Sequence, residues 1–177
     1  MTRHLTAGER QILQPIFKNA LRYHTVRCDI NKANVGGRGN SITPAGTAYF
    51  SQDIYCEDFS AKGVVESDQW VFVHEMAHAW QWQHGRYPVY EAIGTYFTKG
   101  GKYEKAYPYD LTSGSSFDDY NLEQQASIVA DYWGLLTGKL RPQQNKNAQA
   151  TKNDYMKMMT QLWNSGAPSS QLDGVPL

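Results

Sequence analysis

Two histidines four residues apart, with a glutamate directly after the first, stand in the run His74-Glu75-Met76-Ala77-His78. That spacing does chemistry only on a helix, where residues four apart share one face and both imidazoles can converge on one ion. Zinc takes neutral imidazole nitrogens at about 2.0–2.1 Å. Glu75, one position round from His74, falls beside such an ion without binding it, the place of a base that activates water. Two histidines do not complete the set. A catalytic zinc keeps three protein ligands and one open position.

Two residues compete for the third place. His84 has the histidine spacing of an HExxHxxGxxH pattern, but Gln81 stands where that pattern needs a glycine to break the helix. An unbroken helix carries His84 about 9 Å along the axis from His78, out of reach of a shared ion. Glu123 is the alternative, near the start of a later helix in Asn121-Leu122-Glu123-Gln124-Gln125-Ala126. It would complete a His₂Glu (gluzincin-like) set, whereas a carboxylate in a first helical turn is also favoured by the helix dipole alone. Spacing supports both readings of Glu123 equally. Ala126 and Ala130 permit close approach of that helix to the motif helix, and Ser127 and Asp131 are candidate acceptors for a metal-bound imidazole. Tyr107, Tyr109, Tyr120 and Tyr132 are candidate donors to an oxyanion.

The elements that must hold these groups are legible in the pattern. Thr6 and Glu9 form a capping box ahead of Ile12, Leu13, Ile16, Phe17, Ala20 and Leu21, which predicts a first helix ending near Arg22, interrupted at Pro15. Residues 25–30 alternate as a strand, 34–40 form a glycine-rich loop, and 42–43 and 47–50 read as short strands around Pro44-Ala45-Gly46. The last of these could offer an edge on which an extended peptide pairs. The motif helix starts from a cap at Ser67 or Asp68 and stops before Gly85. A helical segment is expected at 89–97 and a loop at 103–117. Asp118, Asp119 or Asn121 caps a helix ending at Gly138, and Tyr155, Met158, Met159, Leu162 and Trp163 mark a last one. The order of elements predicts an α+β fold, a catalytic domain over 1–164 and a flexible tail over 165–177.

Composition narrows the function classes. The 177 residues carry 17 basic and 17 acidic side chains with no basic block, which argues against a nucleic-acid footprint or a charged membrane contact. No apolar run reaches membrane length, and no signal peptide is read at the N-terminus. Aromatic residues make up 13% of the chain, enough to line a peptide cleft. Cys28 and Cys56 are expected as free thiols; their spacing does not decide whether they pair.

The run from Phe72 to Trp82, the later Asp119-Tyr120-Asn121-Leu122-Glu123-Gln124-Gln125-Ala126 and Asp131-Tyr132 resemble the zinc metallopeptidase domains attached to VgrG-type spike proteins of bacterial type VI secretion and their stand-alone relatives. Leu5-Thr6-Ala7-Gly8-Glu9 and the stretch from Ile42 to Phe50 are similar too, so the resemblance runs from about residue 5 to 135. It implies a zincin-like fold, one zinc on His74, His78 and Glu123, and Glu75 as base. It further implies a toxic effector that hydrolyses peptide bonds in the periplasm of target cells, delivered from the cytoplasm by the secretion machine, with a spike carrier and an immunity protein as partners. A zinc-dependent peptidoglycan amidase or endopeptidase would use the same metal chemistry, with peptidoglycan peptide as substrate. A non-catalytic zinc protein would need a fourth protein ligand, for which no candidate lies near the motif.

Overall fold

The computed structural model describes residues 2–30, 41–86 and 106–168. The glycine-rich stretch at 34–40, the helical expectation at 89–97, the start of the loop at 103–105 and the tail at 169–177 lie outside them. Among the described residues the architecture is α+β: four helices and one three-stranded sheet. The helices are α1 (Ala7–Phe17), α2 (Glu66–Gln83), α3 (Leu122–Thr137) and α4 (Lys152–Asn164). The strands are β1 (Arg3–His4), β2 (Arg27–Ile30) and β3 (Thr47–Phe50), in the order β1-β2-β3, with β1 antiparallel and β3 parallel to β2. No described helix is long and apolar enough to cross a membrane.

α1 begins as its sequence dictates. Thr6 Oγ1 accepts from the Glu9 N–H at 3.0 Å, and Glu9 Oε2 accepts from the Thr6 N–H at 2.9 Å. The fully buried Glu9 carboxylate also takes a two-pronged contact from Arg3, at 2.7 and 2.8 Å, which ties β1 to α1. Pro15 lies within the helix, which ends soon after at Phe17 rather than near Arg22. There Lys18 turns to φ 48° and returns its N–H to Gln14 O. β1 is a two-residue strand with no alternation to announce it, and sequence reasoning missed it.

The cap of α2 falls two to three residues ahead of the expected one. Val65 occupies that position without a side-chain bond, and Glu66 and Asp68 fall in the first turn, where negative charge suits the helix dipole. Every residue from Phe72 to Gln81 is buried. A helix buried on all sides forms the centre of a core rather than its wall. α3 packs against α2 more extensively than any other element does, and Ala77, Ala126 and Ala130, all fully buried, keep side-chain bulk out of the interface. Phe50 of β3, Phe59 and Phe72 of α2 pack ring on ring, with neighbouring centroids at 4.7 Å, and seat the sheet on α2. One hydrophobic cluster runs from Leu5 to Leu162. Cys28 is buried and Cys56 half-buried; both are free, and burial pushes the Cys28 thiol up to about 12.

Candidate functional site

The buried middle of α2 brings His74, Glu75, His78 and Gln81 into the core, so each needs a partner. Asn121 caps α3 and Gln124 closes the capping box, which fixes the first turn of α3 and with it Glu123. His74 Nε2, His78 Nε2 and Glu123 Oε2 then stand at the corners of a triangle 3.2 Å on each side. A tetrahedral ion with donors at about 2.05 Å separates them by roughly 3.3 Å, so the triangle has the dimensions of three zinc ligands.

The protons agree with that reading. Gln81 Nε2 faces Leu122 O at 2.9 Å, an atom that only accepts, so Gln81 Oε1 must face His78. Oε1 lies 2.7 Å from His78 Nδ1, which therefore carries the hydrogen. His78 Nε2 is left to present a lone pair to the triangle. Three electron-rich atoms at that separation call for a positive charge among them. With only protons available, burial opposes a charged His78 but Glu123 outweighs it, and His78 rises to about 9. Glu123 stays well below the usual carboxylate range, because His78 and His74 overcome its burial.

Glu75 stands apart from the triangle. Its Oε2 accepts from Thr43 Oγ1 at 2.6 Å, and burial raises its pKa against the pull of His78 and His74. Thr43 is aimed at α2 by the turn after it, where Ala45 and Gly46 both take positive φ, 50° and 77°. A side chain at Gly46 would press on the Trp82 ring, 3.2 Å from its Cδ1. A carboxylate held beside this triangle, raised in pKa and tethered by one hydroxyl, can take a proton from water and release it again.

The other expected residues divide. His84 ends α2, with Nδ1 on Trp80 O at 2.8 Å and Nε2 near Ser165 Oγ and Gly166 O, away from the triangle. The Tyr109 hydroxyl is spent in the core on Asp131 at 2.6 Å and Tyr155 at 2.9 Å, and Tyr120 donates to Asp110 O. Tyr132 lies nine residues from Glu123 on α3, half a turn round the helix. Only Tyr107 of the four tyrosines has a ring contact with the triangle, 5.7 Å from the His74 ring. Asp131 does not bind an imidazole. Its oxygens accept from Trp70 Nε1, the Tyr109 hydroxyl and the N–H groups of Gln143 and Gln144. Ser127 shares the Glu123 face of α3, one turn on, yet its buried Oγ has no hydrogen bond among the described residues, and nor does His74 Nδ1. The β3 edge is closed by the chain itself. Ile42 takes both the N–H and the C=O of Tyr49, and the Thr47 N–H goes to Pro44 O.

Three contributors were missed in the sequence: Gln81, Thr43 and Trp70, whose ring stacks on His74 at 5.3 Å. Gln81 left a signal, being a polar residue three positions after His78 on the motif face. Trp70 left a signal of spacing alone, an aromatic ring four positions before His74 on the same face. Thr43 left none, since only the fold brings it to Glu75.

No family model matches the chain. It is 33% identical over 138 residues to the type VI secretion system spike protein VgrG2b of Pseudomonas aeruginosa, a match that covers 74% of this chain and 13% of that protein's length. Among solved structures it is similar to the effector domain of Pseudomonas aeruginosa VgrG2b, with a TM-score of 0.64 and 31% identity over 77% of each chain.

Proposed function

Since the chain belongs to the family of the VgrG2b effector domain, we propose that it is a zinc-dependent metallopeptidase with a zincin-like fold, acting as a type VI secretion effector in the periplasm of target cells. One observation carries the reading: the 3.2 Å triangle of His74 Nε2, His78 Nε2 and Glu123 Oε2, with Glu75 buried beside it and not part of it.

Zinc held by those three residues would supply a Lewis acid that brings the pKa of water towards neutrality and polarises a carbonyl. Glu75 takes the proton of the attacking water and passes it to the leaving amine, with Thr43 keeping its carboxylate aimed. Gln81 keeps the His78 proton on Nδ1 and the first turn of α3 in place. Tyr107, beside His74, is the donor to the developing oxyanion. Residues 1–164 act as the catalytic unit, a VgrG-type spike is its carrier, and an immunity protein guards the producing cell.

The test is hydrolysis of an unfolded protein by zinc-loaded wild type and Glu75→Gln, run beside purified cell-wall sacculi. Zinc-dependent cleavage of the protein, lost in the variant, is the expected result. Release of peptide from sacculi alone would move the reading to a peptidoglycan endopeptidase or amidase. No turnover of either, with zinc bound, would leave a metal-binding protein without this activity.

A further inference from the structure

The two histidines of the triangle are held in different ways. His78 is fixed through Nδ1 by Gln81 at 2.7 Å. His74 Nδ1 is fully buried and has no hydrogen-bond partner among the described residues. Imidazoles that bind metals are ordinarily fixed by a hydrogen bond at the far nitrogen, so the orientation of His74 needs another cause.

The Trp70 ring lies one helical turn before His74, its plane within 24° of the imidazole and its centroid 5.3 Å away. A flat stack of this kind resists rotation of the imidazole about its own axis. Trp70 is itself pinned, because its Nε1–H donates to Asp131 Oδ1 at 2.8 Å. Asp131 is fully buried and is anchored from two other segments: the Tyr109 hydroxyl at 2.6 Å, and the N–H groups of Gln143 at 2.8 Å and Gln144 at 3.2 Å. Four neutral donors converge on this carboxylate, and only Trp70 among them touches the triangle.

We propose that Asp131 is a positioning residue for the metal centre that orients His74 through the indole of Trp70. This rests on the zinc reading of the triangle. The relay uses a buried carboxylate that the hydrolytic mechanism leaves idle, and it makes the indole N–H, not only the ring, the feature required at position 70.

The full chain, stripped of metal, is titrated with zinc against a chromophoric chelator, and its melting is followed in EDTA. Trp70→Phe keeps an aromatic ring at this position, smaller than the indole, and removes the N–H that reaches Asp131. It is expected to weaken zinc binding roughly tenfold, as loss of an outer partner of a metal ligand commonly does, while the metal-free protein in EDTA still unfolds cooperatively, its melting temperature lowered by only a few degrees. Asp131→Ala is expected to weaken zinc by a similar factor, and the double variant no further than Asp131→Ala alone, because both changes cut one relay. Zinc affinity at the wild-type level in Trp70→Phe, or losses that multiply in the double variant, would overturn the proposal. Should Asp131→Ala not fold, Trp70→Ala against Trp70→Phe decides. The alanine is expected to bind zinc more weakly than the phenylalanine, and the phenylalanine more weakly than wild type; equality of all three overturns it. A wild-type chain that takes up no zinc removes the zinc reading and this inference together, whereas zinc-binding wild type beside an unaffected Trp70→Phe removes this inference alone.

Discussion

Gln81 Oε1 meets His78 Nδ1 at 2.7 Å while its own Nε2 reaches across to Leu122 O at 2.9 Å, so one fully buried amide joins an imidazole of the triangle to the turn that carries Glu123. The position is the one where a helix-breaking glycine would stand if His84 were the third ligand. Gln81 instead continues α2 to Gln83, and the residue that closes the triangle with the two histidines is Glu123, on α3. Gln81→Ala should weaken zinc binding by about 10–100-fold. Gln81→Glu keeps an acceptor for His78 but sets an oxygen against Leu122 O and Gln125 Oε1, and should also lose affinity. A chelator competition reads both. Wild-type affinity in the glutamate variant would show that the bond to α3 does not matter.

Metal content should separate the two third-ligand candidates. Glu123→Ala removes one corner of the triangle and is expected to lose the zinc at micromolar protein. His84→Ala removes a side chain bound to Trp80 O and is expected to keep about one zinc per chain. Mass spectrometry of the two purified variants is sufficient. Loss of zinc from His84→Ala alone would reverse the assignment.

Glu75→Gln should lower the rate of peptide hydrolysis by about 10²–10⁴-fold, the usual contribution of a positioned base, with zinc content unchanged. Thr43→Val should give a smaller loss, because Glu75 remains but its carboxylate loses the 2.6 Å bond that aims it. The kinetics of both, at saturating zinc, check this. A Thr43→Val rate equal to wild type would mean that burial alone aims Glu75.

What could be read from the sequence follows the range of the interactions. His74, Glu75 and His78 are bound to one another by helical spacing, and the capping pair Thr6–Glu9 is three residues apart, so both were legible; Asn121 was one of three caps offered for its helix, and its pairing with Gln124 came from the structure. Glu123 needed the pairing of two helices 49 residues apart, which periodicity cannot supply; the family resemblance did. Thr43 on Glu75 and Asp131 on Trp70 depend on contacts over 32 and 61 residues, and neither pattern nor spacing encodes them. The tyrosines illustrate the same limit. All four sit where an oxyanion donor could be sought, but the hydroxyls of Tyr109 and Tyr120 go to partners that tertiary packing chose. The cap of α2 failed for a local reason: Ser67 and Asp68 are good cap residues, but they fall inside the first turn.

Zinc should stabilise the fold as well as activate it. The triangle concentrates three electron-rich atoms in the core, and a cation bound only to the folded chain adds stability by mass action, about 4 kcal/mol at a thousandfold excess over Kd. EDTA is therefore expected to lower the melting temperature of wild type, and to change that of Glu123→Ala much less. Equal shifts in the two proteins would place the stabilising metal elsewhere.

Gly134 sits in the interior of α3, where alanine would ordinarily be better by about 1 kcal/mol. Here a Cβ would stand 2.9 Å from Leu140 O and 3.1 Å from Leu140 Cβ. The Leu140 carbonyl is backbone in the turn that closes α3, where Gly138 takes φ 68° and the N–H groups of Gly138 and Lys139 both return to Gly134 O. That turn cannot swing aside as a flexible side chain would, and overpacking of this kind costs about 1–3 kcal/mol. The clash outweighs the propensity, so Gly134→Ala should destabilise by about 1 kcal/mol, a fall of roughly 2–4 °C in melting temperature. Gly114, with nothing within 4 Å of its would-be Cβ, is the control, and Gly114→Ala should be neutral or slightly stabilising. Thermal unfolding in EDTA, which removes any contribution from metal, measures both. A higher melting temperature for Gly134→Ala would mean that the turn yields and that helix propensity decides at this position.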